Sequence, residues 1–198
     1  MAGAAIILCG GNSVRMGRDK ATLPFGPETL LRRVVRLAQT VVNDVVVVGA
    51  TSQPMPTGVR VVQDPVPGLG PLAALAVGLR SVSAGRALLL ACDLPLLEPA
   101  LLQRLQDLAG AADACVPLLD GMPMPTCAVY ATRVLPRAEA QLAAGARSLR
   151  ALLAAVSVRW VNPDDLRDVD PELLSFLDCD TPGHYHAALS RAGLSVRT

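Results

Sequence analysis

Residues 8–20 read Leu8-Cys9-Gly10-Gly11-Asn12-Ser13-Val14-Arg15-Met16-Gly17-Arg18-Asp19-Lys20, with glycines first and cations after. Glycine lets the main chain approach an anion closely, and successive amides can then donate to phosphate oxygens. Arg15 and Lys20 add the full positive charge that amides lack. The spacing is not the P-loop, because no Gly-Lys-Ser/Thr follows, and it is not the G-x-G-x-x-G dinucleotide fingerprint. A triphosphate that loses pyrophosphate gathers negative charge on the leaving oxygens, and fixed Arg and Lys groups stabilise that charge more than the ground state. The plain alternative is a β-to-α turn with solvated basic residues on its rim. A lone Gly-Gly pair would favour that alternative; the ordered run of glycines, arginine and lysine favours a phosphate site.

Two carboxylates follow the same logic. Leu88-Leu89-Leu90-Ala91-Cys92-Asp93-Leu94-Pro95 reads as a buried strand with Asp93 at its carboxyl end and Pro95 closing the run. Ligands of open α/β sheets bind outside the carboxyl ends of the strands. An acid there can hold Mg²⁺, which bridges phosphate oxygens and orients the α-phosphate for in-line attack. Otherwise Asp93 caps the helix that begins near Pro99. Asp64 takes the equivalent place after Val59–Val62, ahead of Gly68-Leu69-Gly70-Pro71-Leu72-Ala73. That loop can meet a base or ribose with Asp64 hydrogen-bonded to it, and a turn with an Asx interaction is the other reading.

The elements that must position these residues are short apolar runs bounded by Gly, Pro or Asp. They fall at Ala4–Cys9, Asp44–Val48, Val59–Val62, Ala87–Cys92, Ala114–Leu118 and Val156–Val161, and read as buried strands. Helical spacing covers Thr29–Thr40, Pro71–Ser83, Pro99–Ala109 and Leu135–Ala144, and a closing helix covers Pro182–Ala192. Alternation of this kind predicts βαβ units on a parallel sheet covered on both faces. After Leu118 a turn-rich stretch leads to Thr126–Ala131, expected to run antiparallel at a sheet edge. The fold class predicted is α/β: a single-domain, Rossmann-like doubly wound fold, its sheet mostly parallel with an antiparallel strand in the second half.

Composition narrows the function classes. With 198 residues, 52% hydrophobic and 18% charged, the chain can bury one sizeable core, and one domain is expected over residues 1–198. The 18 basic and 17 acidic residues leave a net charge of +1, no field for gathering nucleic acid or an anionic membrane. The apolar stretches fall short of the ~20 residues that span a bilayer, and no signal peptide opens the chain, so a cytoplasmic protein is expected. Cys9, Cys92, Cys115, Cys127 and Cys179 are scattered singly without zinc spacing and read as reduced, buried thiols. His184 and His186 are two apart on a helix and make a poor zinc pair, so both read as surface residues. Trp160 reads as packing, and Met122 and Met124 flank a Pro-rich turn where packing outweighs ligand contact.

Taken in order, L-C-G-G-x-S-x-R-M-G-x-D-K, G-P-L-A and C-D-x-P resemble the molybdenum cofactor guanylyltransferase family. The resemblance covers nearly the whole chain and extends to Pro125-Thr126-Cys127-Ala128-Val129-Tyr130, to Gly145-Ala146-Arg147-Ser148-Leu149 and to Asp180-Thr181-Pro182. It implies a Mg²⁺-dependent transfer of GMP from GTP to the terminal phosphate of molybdopterin, with release of pyrophosphate. By the same resemblance Leu8, Cys9, Gly10, Gly11, Lys20, Asp64 and Asp93 would contact the nucleotide, and Asp93 would also bind Mg²⁺. Arg15, Lys20 and Asp93 would be the catalytic set. Residues 122–126 and Arg147 would lie toward the pterin. The N-terminal half would hold the nucleotide and the C-terminal half the acceptor. GTP and molybdopterin are thus the expected partners, with transient contact with molybdoenzymes or cofactor-biosynthesis proteins.

Three positions depart from the family pattern. Cys9 stands where Ala is usual, Gly49-Ala50 stands where an Asn is often offered to the nucleotide, and Asp178-Cys179-Asp180-Thr181-Pro182 replaces Asn-x-Asn-Thr-Pro. The paired carboxylates are more familiar from the related cytidylyltransferases, whereas Gly10-Gly11, Arg18-Asp19-Lys20 and Cys92-Asp93-Leu94-Pro95 look like the guanylyl branch. Asp178 and Asp180 either add metal contacts near the acceptor phosphate or end a strand and cap the last helix. The other function classes are a cytidylyltransferase or sugar-1-phosphate nucleotidyltransferase, and a nucleotide-binding domain without turnover, against which Arg15, Lys20 and Asp93 together argue.

Overall fold

The structure is a computed structural model and describes residues 3–10, 20–49, 51, 53–63 and 68–195. In chain order it runs β1 (Ala4–Leu8), β2 (Pro24–Phe25), β3 (Glu28–Thr29), α1 (Leu30–Gln39), β4 (Asp44–Val48), β5 (Val59–Val62), α2 (Pro71–Ser81) and β6 (Arg86–Ala91). Then follow α3 (Pro99–Leu108), β7 (Ala114–Leu119), β8 (Met122–Pro123), β9 (Cys127–Ala131), α4 (Leu135–Ala143), α5 (Leu149–Leu153), β10 (Val158–Val161) and α6 (Pro182–Arg191). The main sheet is eight-stranded in the order β10-β7-β9-β6-β1-β4-β5, with β8 paired to β7. β1 lies parallel between β4 and β6, with Leu8 opposite Val48 on one side and Ala91 on the other.

Helices cover both faces because alternate strand residues are apolar on both sides. From β1, Ala5 and Ile7 face α1 and α3, where Leu31, Val34, Val35, Leu101 and Leu105 are buried. Ala4 and Ile6 face α2, α4 and α5 through Leu72, Leu75, Ala138 and Leu152. Each such Leu or Ile contributes about 1.5–3 kcal/mol relative to an exposed side chain. α1 starts where the Thr29 hydroxyl accepts from the Arg32 amide, and its Arg32, Arg33 and Arg36 stay off the core face. Gly78 lets α2 approach β1 closely: a Cβ there would lie 2.3 Å from Ile6 Cγ2.

The α/β class and the mostly parallel sheet follow the sequence reading, and one placement does not. β9 is antiparallel as expected, yet it lies inside the sheet between β6 and β7, not at an edge. All five of its residues are buried, so no side chain can face solvent as an edge strand allows. A third small core of Leu23, Phe25, Leu30, Ala188 and Leu189 packs α6 against β2 and the start of α1, which draws the C-terminal arm to the carboxyl end of the sheet.

Candidate active site

At the carboxyl end of β1 the chain stays hydrogen-bonded on both flanks. The Cys9 amide donates to Val48 O at 2.8 Å, and the Cys92 amide donates to Leu8 O at 3.1 Å. Gly10 is the first residue clear of the sheet; it is exposed at φ +155° with open space where a Cβ would be. Gly49, ending β4, is required sterically: at φ +131° its Cβ would sit 1.5 Å from the Cys9 carbonyl oxygen. No side chain can therefore be offered from that position.

Lys20 Nζ donates to Asp93 Oδ2 at 2.9 Å and also to Asp180 Oδ1. The Lys20 and Asp93 side chains are only 17% and 14% exposed, Asp180 45%. Burial on its own would lower the Lys20 pKa, but the hydrogen bonds to Asp180 and Asp93 override it and hold the ammonium up at about 12. Burial pushes the Asp93 carboxyl up, Lys20 pulls it back in part, and Asp180 and Asp178 push it up further. The two upward shifts have different causes: burial lifts the Asp93 carboxyl, whereas the hydrogen bonds to the two carboxylates lift the Lys20 ammonium.

The C-terminal arm that carries Asp180 is built in from two sides. The buried Asp170 carboxylate accepts from the Leu174 and Ser175 amides, and the Ser175 hydroxyl accepts from the Glu98 amide at the start of α3. The Cys179 amide then donates to the Asp93 carbonyl at 3.0 Å. Asp178 accepts from the Asp180 amide at 3.3 Å and lies 2.9 Å from His184 Nδ1. Thr181, not an aspartate, caps α6, and no strand precedes it, so the strand-ending and helix-capping reading of Asp178 and Asp180 is set aside. Glu98 occupies the N-cap position of α3, which sets aside the capping reading of Asp93.

Leu8, Cys9, Gly10, Lys20 and Asp93 are thus at one end of the sheet. Gly11, Arg15 and Asp64 lie outside the described residues. Arg147 stands at the start of α2, where its carbonyl accepts from the Leu72 amide at 3.2 Å. The 122–126 segment runs from β7, which Met122 and Pro123 pair with, to β6, where Thr126 O accepts from the Ala91 amide at 2.9 Å. All five cysteines are buried and in no disulfide. Burial pushes the Cys115 thiol up to about 11 and those of Cys127 and Cys179 to about 12, which removes them as nucleophiles. His184 and His186 are exposed, and Trp160 is 40% exposed on β10, so it is less of a packing residue than its apolar run implied.

Residues 5–160 match the family model of the MobA-like NTP transferase domain. The chain belongs to the MobA-like NTP transferases. A "probable molybdenum cofactor guanylyltransferase" of Mycobacterium avium is 42% identical over 165 residues, covering 80% of this chain and 84% of that one. Among solved structures, molybdopterin-guanine dinucleotide biosynthesis protein A of Archaeoglobus fulgidus superposes with a TM-score of 0.83 at 24% identity, over 96% of this chain and 98% of that one. The Rv0371c protein of Mycobacterium tuberculosis, in complex with manganese, superposes with a TM-score of 0.67 at 21% identity, over 96% and 99%.

In this MobA-like transferase the donor set suits a hard divalent ion. Among the described residues no cluster of three or more His, Cys, Asp or Glu is arranged to hold a metal, but Asp93 and Asp180 offer two carboxylates to one point. Mg²⁺ is typically held by one or two carboxylates together with substrate phosphates and water. The Lys20 ammonium lies between the two carboxylates. Sequence reasoning left the role of Asp180 open and passed over Gln53, whose Nε2 donates to Ala21 O at 2.9 Å and whose Oε1 accepts from the Thr29 hydroxyl, bracing the backbone just after Lys20. One signal was available: Lys20 is the single lysine among 18 Lys and Arg residues.

Proposed function

We propose that this MobA-like transferase moves GMP from GTP to the terminal phosphate of molybdopterin, giving the guanine dinucleotide cofactor and pyrophosphate, with Mg²⁺ as its divalent ion. The observation that carries the reading is the Lys20 ammonium clasped by Asp93 and Asp180 at the carboxyl end of the parallel sheet, beside Gly10. The choice of guanine and of the pterin acceptor is supported by the 42% identity to the mycobacterial relative named for that activity.

The chain's own residues divide the work. The open backbone at Gly10 receives the triphosphate together with Gly11, and Leu8 and Cys9 present the strand end to it. Arg15 and Lys20 take up the charge that grows on the leaving pyrophosphate. Asp93 and Asp180 would hold the metal, which would supply positive charge to neutralise the phosphates. Asp64 and the 68–71 loop meet the nucleoside, while residues 122–126 with Arg147 meet the acceptor. One domain thus has a nucleotide-binding N-terminal half and an acceptor-binding C-terminal half. The reaction is proposed to take place in the cytoplasm, with the product handed on through transient contact with molybdoenzymes or cofactor-biosynthesis proteins.

The test is pyrophosphate release by purified protein with Mg²⁺ and molybdopterin, comparing GTP, CTP, ATP and UTP at equal concentration. GTP-selective, molybdopterin-dependent release is expected. Preference for CTP would favour the second reading, cytidylyl transfer, which the carboxylate pair Asp178 and Asp180 suggests. Absence of release with every nucleotide would refute the acceptor or the catalytic role.

A further inference from the structure

We propose that Lys20 is an internal counter-ion that occupies the divalent-cation position of the metal-free chain, so that metal binds weakly until nucleotide draws the Lys20 ammonium away. The inference rests on the nucleotidyl-transfer reading above and adds how the site is held between turnovers.

Three observations support it. First, both carboxylates suited to a metal accept hydrogen bonds from the same nitrogen, Lys20 Nζ. Second, the residue doing this is the only lysine in a chain whose other basic residues are all arginine. A compact ammonium on a flexible stem can sit between two carboxylates as an ion does, whereas the flat guanidinium fork pairs edge-on with one. Third, the backbone after Lys20 is anchored by Gln53, which bonds the Ala21 carbonyl and the Thr29 hydroxyl, so the side chain can swing its charge between partners from a fixed attachment on that side.

A triphosphate gives Lys20 new anionic partners. Once the ammonium turns to them, Asp93 and Asp180 face each other with two unpaired negative charges, and a divalent ion restores the balance. Metal without nucleotide must instead compete with Lys20. If Lys20 holds the pair about nine-tenths of the time, the apparent metal affinity is weakened about tenfold. The coupling is reciprocal, so metal strengthens nucleotide binding by the factor that nucleotide strengthens metal binding.

Mn²⁺ serves as the probe, read by loss of its free-ion paramagnetic resonance signal on the full chain. Without nucleotide, Lys20→Met is expected to bind Mn²⁺ about tenfold more tightly than wild type. A non-hydrolysable GTP analogue should tighten Mn²⁺ binding more in wild type than in the variant. Equal or weaker Mn²⁺ affinity in Lys20→Met, with analogue-dependent Mn²⁺ uptake intact in wild type, overturns this inference alone. No Mn²⁺ uptake by either protein with the analogue present overturns the site reading as well. Should Lys20→Met not fold, the wild-type chain decides: with one lysine, nitrogen-15 lysine labelling gives a single side-chain ammonium signal. Mg²⁺ alone is expected to shift that signal as the site fills, measured by displacement of Mn²⁺. A signal that stays in place while the site fills overturns the proposal.

Discussion

Asp93→Asn separates function from stability because it removes charge and hardly alters shape. The variant loses one of two carboxylates that face the cation position, leaving Asp180 as the sole acid on Lys20. Losing one fixed group that stabilises transition-state charge costs roughly 10²–10³-fold in kcat, about 3–4 kcal/mol. Stability should move little, within about 1 kcal/mol for a near-isosteric change, and its sign is worked from the titration. Burial raises the Asp93 pKa above its ordinary 3.8, so the native state keeps a proton that the unfolded chain releases. Wild-type stability therefore falls as pH rises from near 3.8 through the raised value, and asparagine, which does not titrate, escapes that loss. Pyrophosphate release and thermal melts at pH 4 and pH 7 measure both effects. The variant should be nearly inactive and should gain on wild type between the two pH values. Near-normal turnover would remove Asp93 from the metal, and a loss of stability beyond about 2 kcal/mol at pH 7 would refute the burial argument.

Gly49→Ala puts a Cβ against the Cys9 carbonyl at a positive φ, and should cost at least about 2 kcal/mol in a denaturant melt while weakening GTP affinity by displacing the strand end before Gly10. Asp113 accepts from the Ser157 amide and hydroxyl and from Arg133 Nε, contacts that hold its carboxyl below the ordinary range. Its contribution is present above the unfolded carboxylate pKa and is lost as pH falls through the lowered folded value, so an Asp113→Asn deficit of about 1 kcal/mol at pH 7 should shrink in acid melts. The buried thiols predict no reaction of the native chain with a disulfide reagent over minutes, and all five reacting once it is unfolded.

The strands that build the parallel sheet are legible because β1, β4 and β6 are runs with nearly every position buried, and such runs have no solvent face to hide. The position of β9 is a different kind of fact. Nothing local to Thr126–Ala131 names its two neighbours, yet the comparison with the true edges is informative. β5 and β10 each carry exposed positions, including Val61 and Trp160, whereas Cys127–Ala131 carries none. An unbroken apolar run is a signal for the interior of a mixed sheet, and the edge expectation neglected it. The pieces β2, β3 and β8 are two residues each and α5 is five, too short for any periodicity to register.

The site divides along the same line between local and distant information. The placing of Gly10 and Asp93 at one end of the sheet is readable because each lies just past a strand, and a strand's carboxyl end is where a doubly wound sheet binds its ligand. Lys20 is singled out instead by the run of glycines and cations that it closes. The partnership of Lys20 with Asp180 spans 160 residues and depends on Leu189 and Ala188 packing α6 against Phe25 and Leu30. No spacing rule reaches that far. What the sequence does carry is a compositional exception: every other basic residue is arginine, and the one lysine stands where a small, movable charge is needed between two acids. Arginine elsewhere makes pairs such as Arg104 with Asp168 and Arg36 with Glu28, where a flat fork serves well. The exception is therefore the compositional trace that the proposed exchange of partners at Lys20 leaves in the sequence.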